Sequence, residues 1–237
     1  MHSDRGQAIF ENRYDAGRQL ADKLSGYKSQ SVIVLAIPNG GVPVAVGVAL
    51  ALEAELDLVI SRKIPLPLKP EGGFGAVTDD GTIILNEEMV KNAGLSPQQI
   101  NYQASKVRAD IKHRSMLYRG EQPLPGLSGK VVLIVDDGMA TGFTMVAAVE
   151  SVHRRRPKLI VVATPVASAA AVNKLEKVAD KVVTCATGYM PKFYLSDYYR
   201  YWHDPKDEEV IQCLKEWRVR RAGPKIELPH SNDDVDR

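Results

Sequence analysis

Five runs of mostly apolar, β-branched residues recur along the 237-residue chain, and segments with helical periodicity lie between them. The runs cover residues 31–37, 56–60, 131–135, 159–163 and 182–185. Strands of this kind have to be covered on both faces, and strands that alternate with helices pair in parallel, so the pattern predicts an α/β fold. We expect a five-stranded parallel sheet with helices on both faces.

The segments around these runs carry helix signals. Pro43 opens an apolar helix after the first run, and Ser96 begins a capping box with proline at the first helical position. The predicted helices cover about 7–25, a stretch from 43, a short stretch from 86, then 97–119, 142–154, 168–178 and a last helix that opens at Asp204.

No internal repeat or interdomain linker is evident, so residues 1–223 are predicted to form a single domain. Residues 63–82 are rich in proline and glycine and are expected to form a long flexible loop, with room for one short hairpin. The polar stretch 224–237 is predicted to be a disordered tail.

The composition argues against several classes of function. Lys and Arg number 31 against 29 Asp and Glu, and the net charge of +2 gives no field strong enough for general nucleic-acid binding. Two cysteines are too few for a disulfide framework, and the first residues lack the apolar run of a signal peptide. The longest apolar stretch, 42–51, is too short to span a bilayer. We expect a cytoplasmic protein that binds neither membranes nor nucleic acids.

The most informative segment follows the third run. Asp136 and Asp137 come directly after the strand, and residues 138–144 lead into the next helix. Ligands of parallel sheets bind beyond the carboxyl ends of the strands, where helix N-termini attract anions. The carboxylates can accept hydrogen bonds from vicinal hydroxyls or hold a metal, and loop amides with the hydroxyls of Thr141 and Thr144 can bind a phosphate. A ribose 5-phosphate meets both requirements.

Paired acids at a strand end also occur in response-regulator receivers and as magnesium ligands of Walker B motifs. This chain has no Walker A sequence, the strand lies far from the chain start, and Thr-Gly-x-Thr follows the acids. These observations favour a phosphoribosyl site, with a receiver-like or phosphatase-like protein as the weaker alternative.

Residues 132–144, with four apolar residues, two acids, a short spacer and Thr-Gly-x-Thr, resemble the phosphoribosyl pyrophosphate signature of type I phosphoribosyltransferases. The chain is most similar to a group of predicted phosphoribosyltransferases with Gly-Gly-Val-Pro-Val-Ala after the first strand, here 40–45, and Arg-Lys after the second, here 62–63. The resemblance implies the five-stranded fold of this superfamily, with a small C-terminal hood over about 187–218.

The resemblance also implies a role for each matching residue. Asp136 and Asp137 would hold the ribose hydroxyls, with Mg²⁺ nearby, bound directly or through water. The phosphoribosyl group would be bound by the whole signature, namely Asp136, Asp137, Gly138, Met139, Ala140, Thr141, Gly142, Phe143 and Thr144.

The glycine turn after the first strand would be the pyrophosphate-binding loop, formed by Pro38, Asn39, Gly40 and Gly41. Relatives usually carry arginine where this chain has Asn39, so pyrophosphate is expected to be held more weakly or by another cation. Lys63 is the first candidate for the catalytic cation, with Arg62 behind it, and Asp137 is the third predicted catalytic residue.

The implied activity is a magnesium-dependent transfer of the phosphoribosyl group between phosphoribosyl pyrophosphate and a nitrogenous acceptor, expected to be a nucleobase. A non-catalytic sensor of phosphoribosyl pyrophosphate or nucleotides is the alternative, and the family also implies a homodimer. The aromatic residues between Tyr189 and Trp202 would either stack on the acceptor or pack in the core. A solvated face is expected on the long helix for Arg108, Lys112, His113 and Arg114.

Overall fold

The computed structural model describes residues 8–67, 69–189 and 192–222, and the predicted tail, 224–237, lies outside them. The helices are α1 (Arg13–Lys23), α2 (Gly41–Leu52), α3 (Glu87–Asn92), α4 (Pro97–Arg119), α5 (Phe143–His153), α6 (Ala169–Leu175) and α7 (Asp207–Ala222). The strands are β1 (Val32–Ala36), β2 (Glu55–Leu58), β3 (Ser61–Leu66), β4 (Lys69–Thr78), β5 (Ile83–Leu85), β6 (Val131–Val135), β7 (Leu159–Ser168) and β8 (Lys181–Gly188). None of the helices in these three ranges combines the length and the apolar character that crossing a bilayer would require.

The central sheet has the strand order β2-β1-β6-β7-β8, and its four pairings are all parallel. The predicted five-stranded parallel sheet is therefore confirmed. Successive side chains of β1 point to opposite faces, so Ile33 and Leu35 pack in one core cluster while Val32, Val34 and Ala36 pack in another. Both faces are covered, which explains why β1 and β6 are apolar at every position.

The segment predicted as a flexible loop, 63–82, lies mostly in a second sheet, so that prediction is corrected. Strands β3, β4 and β5 pair antiparallel in that order. The glycines that suggested a loop permit close strand contacts here, because a Cβ on Gly75 would lie 2.4 Å from the carbonyl oxygen of Ile84. Pro65 stands at a register shift between β3 and β4, where proline is tolerated.

Other element boundaries differ from the sequence pattern by a few residues. β7 and β8 extend beyond their apolar runs and pair as far as Ser168 and Gly188. α7 begins at Asp207 rather than at Asp204. α1 begins after Asn12, whose side chain accepts a hydrogen bond from the backbone amide of Asp15 and so caps the helix.

Helices α1 and α2 meet at a contact that only glycine allows. A Cβ on Gly17 would lie 2.5 Å from the carbonyl oxygen of Val44, and a Cβ on Gly47 would lie 3.2 Å from the carbonyl carbon of Gly17. The close contact fixes α1 against α2, and with it the position of Arg13, the first residue of α1.

Gly17→Ala is expected to lower the free energy of unfolding by about 1–3 kcal/mol, because the added methyl group overlaps backbone atoms of α2. In an isolated helix the same change would be stabilising. Urea unfolding shows whether Gly17→Ala lowers or raises the free energy of unfolding. Gly26→Ala is the control and should leave the midpoint nearly unchanged, since a Cβ there meets nothing within 4 Å. Equal stability of Gly17→Ala and the unaltered chain would contradict the close contact.

Candidate functional site

A cleft of about 790 Å³ lies at the carboxyl end of the central sheet. The turn after β1, the acids after β6, strand β3 and helix α4 form its walls, and the chain before α7 closes one side. The cleft brings together eight of the predicted site residues, which are Pro38, Asn39, Gly40, Arg62, Lys63, Asp136, Asp137 and Thr144.

The two acids after β6 differ in their surroundings. Asp136 is partly exposed on the cleft wall, and its Oδ1 accepts the backbone N–H of Asp137 at 2.8 Å. Asp137 is buried, and its Oδ2 accepts from Nε of Arg13 at 2.7 Å. The carbonyl oxygen of Asp137 accepts from the hydroxyl of Tyr199 at 2.6 Å. Asp137 is thus held through both its side chain and its backbone.

Arg13 also lines the cleft, beside the acid pair. The sequence pattern did not predict it as a site residue. It lies on the face of α1 that buries Gly17 and Leu20, and only 6% of its side chain is exposed. Its Nη1 donates to the carbonyl oxygen of His203 at 2.6 Å, and its guanidinium carbon lies 4.0 Å from the centroid of the Trp202 ring. An arginine on an apolar helix face is the signal that could have revealed it, because a buried charge requires a partner.

Burial raises the pKa of Asp136 well above its usual range, and repulsion from Asp137 adds to the shift. Arg13 opposes this shift, but its guanidinium is bonded to Asp137. A cation or a hydroxyl donor beside Asp136 would therefore stabilise the ionised form of its carboxyl group. The position suits a ligand that brings hydrogen-bond donors or positive charge.

The predicted phosphate loop, 138–144, is hydrogen-bonded to β7. Met139 forms two backbone hydrogen bonds with that strand, at 2.9 and 2.8 Å, and its side chain is buried in the core. Gly142 has a φ of 76°, which favours glycine, and it caps α5. Thr144 lines the cleft in the first turn of α5, while Thr141 is exposed. The backbone N–H of Met139 is therefore already bonded to β7 and its side chain is buried, so Met139 holds the loop in place and offers no donor to a ligand.

The glycine turn after β1 packs directly against the acid pair. A Cβ on Gly40 would lie 2.1 Å from Oδ2 of Asp137, and a Cβ on Gly41 would lie 2.9 Å from Cα of Asp136. Both positions therefore require glycine, and the turn and the acids form one rigid unit.

Asn39 contacts the chain before α7 and an arginine of α4. Its Nδ2 donates to the carbonyl oxygen of Pro205 at 2.9 Å and to Oδ1 of Asp207 at 3.0 Å. Its Oδ1 accepts from Nη1 of Arg114 at 3.0 Å, across a separation of 75 residues. Arg114 lines the cleft with 17% of its side chain exposed, so its prediction as part of a solvated face is wrong. A guanidinium does stand beside position 39, but α4 supplies it.

The prediction for Arg114 failed because α4 buries only a narrow row of side chains against the rest of the protein. The buried side chains of this 23-residue helix are Ala104, Ile111 and Tyr118. Arg114 lies beside this buried row, where its Nη1 and the hydroxyl of Tyr118 both donate to Asp207. Burial, together with the bond to Asp207, raises the pKa of Tyr118 to about 12. Hydrogen bonds outweigh burial and hold the pKa of Asp207 below its usual value, so Asp207 pairs with Arg114 as a carboxylate.

Arg62 and Lys63 belong to β3 and reach the cleft from that strand. Nε of Arg62 lies 3.6 Å from Oδ2 of Asp110 on α4. The stem of Lys63 packs on β4, since a Cβ on Gly73 would lie 2.4 Å from its Cγ. The antiparallel sheet thus brings two basic residues to the cleft that the acid pair also lines.

The aromatic residues of the hood, 187–218, fall into different environments. Tyr199 is buried, and its ring centroid lies 5.3 Å from that of Phe10 and 5.1 Å from that of Trp202. Trp202 lines the cleft, whereas Tyr189 and Tyr194 are exposed. Tyr199 therefore packs in the core, and Trp202 is placed where it can contact a ligand.

Within the described ranges, no group of three or more His, Cys, Asp or Glu side chains is placed to hold a metal ion. The acid pair offers carboxylate oxygens of the kind that Mg²⁺ prefers, but Oδ2 of Asp137 is bound by Arg13. A magnesium ion at Asp136 and Asp137 would need further oxygens from a ligand or from water.

The fold and the site together define a class of protein. The family profile of the phosphoribosyl transferase domain matches residues 7–194, which include the glycine turn, β3 and the acid pair. The chain belongs to this family.

Particular relatives agree with this assignment. Two curated proteins of Mycobacterium tuberculosis, from strains CDC 1551 / Oshkosh and ATCC 25618 / H37Rv, are 36% identical to the chain over 207 residues, and both bear provisional names as phosphoribosyl transferases. The match covers 87% of this chain and 46% of each relative, so the chain spans about half of their length. The crystal structure of TT1426 from Thermus thermophilus is 35% identical, with a TM-score of 0.72 over 88% of this chain and 98% of that chain.

Arg13→Met is expected to lower the free energy of unfolding by about 3–5 kcal/mol, because it leaves the buried carboxylate of Asp137 without its partner. Urea unfolding measures the loss. The double variant Arg13→Met/Asp137→Asn should recover much of it, since the unpaired charge is then absent. Arg18→Met is the control, because 75% of the Arg18 side chain is exposed and such surface pairs contribute at most about 1 kcal/mol. A loss no larger than that of the control would show that the buried pair is not needed.

Asp136→Asn is expected to stabilise the protein at neutral pH. A carboxyl group whose pKa is raised on folding binds its proton more tightly in the folded state, so stability falls as pH rises through the folded-state pKa. Asp136→Asn removes this loss of stability. Each kcal/mol gained in the free energy of unfolding raises the thermal unfolding midpoint by about 2–4 °C. Thermal unfolding across the acidic to neutral range checks the slope, with the exposed Asp22→Asn as the control. Lower stability of Asp136→Asn at neutral pH would contradict the raised pKa.

Proposed function

We propose that the chain catalyses a magnesium-dependent transfer of the phosphoribosyl group between phosphoribosyl pyrophosphate and a nitrogenous acceptor, expected to be a nucleobase. The observation that carries the proposal is the convergence of the acid pair, Thr144, the glycine turn and the basic residues of β3 on one cleft. Phosphoribosyl pyrophosphate carries vicinal hydroxyls, a 5-phosphate and a diphosphate, and each of these groups has a chemical counterpart in the cleft.

The donor would bind with its 5-phosphate at the start of α5. The backbone amides of 138 and 140–144 and the hydroxyls of Thr141 and Thr144 can donate to the phosphate, whereas the amide of Met139 is bonded to β7. The positive end of the helix dipole adds to the attraction. The ribose hydroxyls can donate to Asp136, and Asp137 contributes to the same site while Arg13 holds its Oδ2. Magnesium, held by the two acids and by ligand oxygens, would supply positive charge to the diphosphate.

In the transfer, the bond from the anomeric carbon to the pyrophosphate oxygen breaks and a bond from that carbon to the acceptor nitrogen forms. The proton of that nitrogen passes to the departing pyrophosphate or to water. Positive charge develops on the ribose ring, and the carboxylates of Asp136 and Asp137 can stabilise it. Negative charge develops on the departing pyrophosphate, where Lys63 and Arg62 act as the cations. Trp202 offers an aromatic face on which a flat acceptor can stack.

A non-catalytic sensor of the same ligand is the second candidate. The observation that favours it is at the pyrophosphate turn, where Asn39 replaces a cation and is bonded to Pro205 and Asp207. A turn tied to the hood in this way could bind the donor without holding the leaving group tightly.

Calorimetry with phosphoribosyl pyrophosphate and magnesium chloride tests binding. We expect heat from the unaltered chain and at least tenfold weaker binding by Asp136→Asn, because one good hydrogen bond to a charged group contributes about 1.5–3 kcal/mol. Asp22→Asn, exposed on α1, should bind like the unaltered chain. The absence of binding at millimolar ligand, or equal binding by Asp136→Asn, would overturn the proposed site.

A pyrophosphate-release screen over purine, pyrimidine and other nitrogenous acceptors separates the two candidates. Release that depends on one class of acceptor supports the transferase and identifies its substrate. Tight donor binding with no release for any acceptor supports the sensor. Omitting magnesium from the same assay tests the metal requirement.

A further inference from the structure

Asp110 of α4 lies between two arginines on the cleft wall. Its Oδ1 and Oδ2 accept from Nε of Arg114 at 3.3 and 3.1 Å, and its Oδ2 lies 3.6 Å from Nε of Arg62. All three side chains line the cleft. A carboxylate that bridges two guanidinium groups occupies a place that an anionic ligand could take between them.

Arg114 is also held by contacts that do not involve Asp110. Its Nη1 donates to Asn39, Tyr118 and Asp207. If Asp110 moved away, these bonds would keep the guanidinium in place, and Nε, which now donates to Asp110, would become available on the Nε–Nη2 edge. This edge is suited to bidentate binding of phosphate oxygens.

The exposure of the three side chains indicates which partner can move. The side chain of Asp110 is 43% exposed and that of Arg62 is 37% exposed, against 17% for Arg114. Asp110 can turn toward solvent without leaving a buried charge, and ion pairs with this much exposure are weak. A phosphate brings more negative charge and more acceptor oxygens than a carboxylate, so it can replace Asp110 at both arginines.

We propose that Asp110 is an internal competitor of the donor's diphosphate group. In the free protein it pairs with Arg62 and Arg114, and the diphosphate displaces it from both. The inference rests on the proposed function, since it takes the ligand to be phosphoribosyl pyrophosphate or its product pyrophosphate. It adds to that function a residue that lowers the affinity of the cleft for the diphosphate and so favours release of pyrophosphate.

Asp110→Asn removes the competing charge and keeps the shape of the side chain. By calorimetry with magnesium present, we expect it to bind inorganic pyrophosphate and phosphoribosyl pyrophosphate about 3- to 10-fold more tightly than the unaltered chain does. Ribose 5-phosphate, which lacks the diphosphate, should bind with unchanged affinity. Glu121→Gln, exposed just after α4, makes the same change in net charge and should leave all three affinities unchanged.

A second set of variants tests whether the gain depends on the two arginines. Arg62→Gln and Arg114→Gln are each combined with Asp110→Asn, and each should remove the gain in pyrophosphate affinity. Arg108→Gln, exposed on the same helix, should preserve it. Unchanged binding of ribose 5-phosphate shows that the variants at Arg114 still fold.

Pyrophosphate binding by Asp110→Asn that is equal to or weaker than that of the unaltered chain overturns the inference, because Asp110 would then position the arginines rather than compete. An equal gain for ribose 5-phosphate, or an equal gain in Glu121→Gln, overturns it as a general effect of charge. If the unaltered chain binds neither diphosphate ligand, the proposed function fails with it. If it binds both and Asp110→Asn changes nothing, the inference alone fails.

Discussion

The buried ion pair between Arg13 and Asp137 joins three parts of the chain that lie far apart in sequence. It connects the start of α1 to the end of β6 across 124 residues, and Arg13 also reaches His203 in the hood across 190 residues. Burying two charges is costly unless the remaining donors and acceptors are satisfied. Here the guanidinium donates to the His203 carbonyl and lies on the Trp202 ring, while the backbone of Asp137 accepts from Tyr199. Arg13 therefore links the docking of the hood to the orientation of the acids.

Asp136 and Asp137 therefore differ in their surroundings and in their bonding partners. Asp137 lies between Arg13 and Gly40, and the absence of a side chain at Gly40 is what makes room for its carboxylate. The glycine turn and α1 both contact Asp137, so their positions are coupled through this residue. Asp136 lies on the cleft wall with a raised pKa, and it gains most from a ligand that supplies a hydrogen-bond donor or a cation. Asp137 is thus held by Arg13, whereas Asp136 lines the cleft and is partly exposed.

The parts that the sequence predicts well are those in which local chemistry and fold agree. The apolar runs predict the parallel sheet because burial on both faces leaves no polar position in β1 or β6. The three-stranded extent of the antiparallel sheet was missed because Gly75 and Pro65, which are typical of loops, here permit a close strand contact and mark a register shift. Arg13 and Arg114 were missed for a different reason: each is a charged side chain on a helix whose partners lie 75 or more residues away, and periodicity cannot reveal such partners.

The charges of the cleft also explain how a chain with a net charge of only +2 could bind a strongly anionic ligand. Arg62 and Arg114 face the cleft already paired, the first with Asp110 and the second with both Asp110 and Asp207. Long-range attraction therefore contributes little, and binding becomes an exchange of partners at short range. Such an exchange is favourable only for a ligand that offers more charge and more acceptor oxygens than the carboxylate it displaces. A diphosphate satisfies this condition better than a single carboxylate does, so in the proposed function the paired arginines would make the cleft selective without making the surface basic.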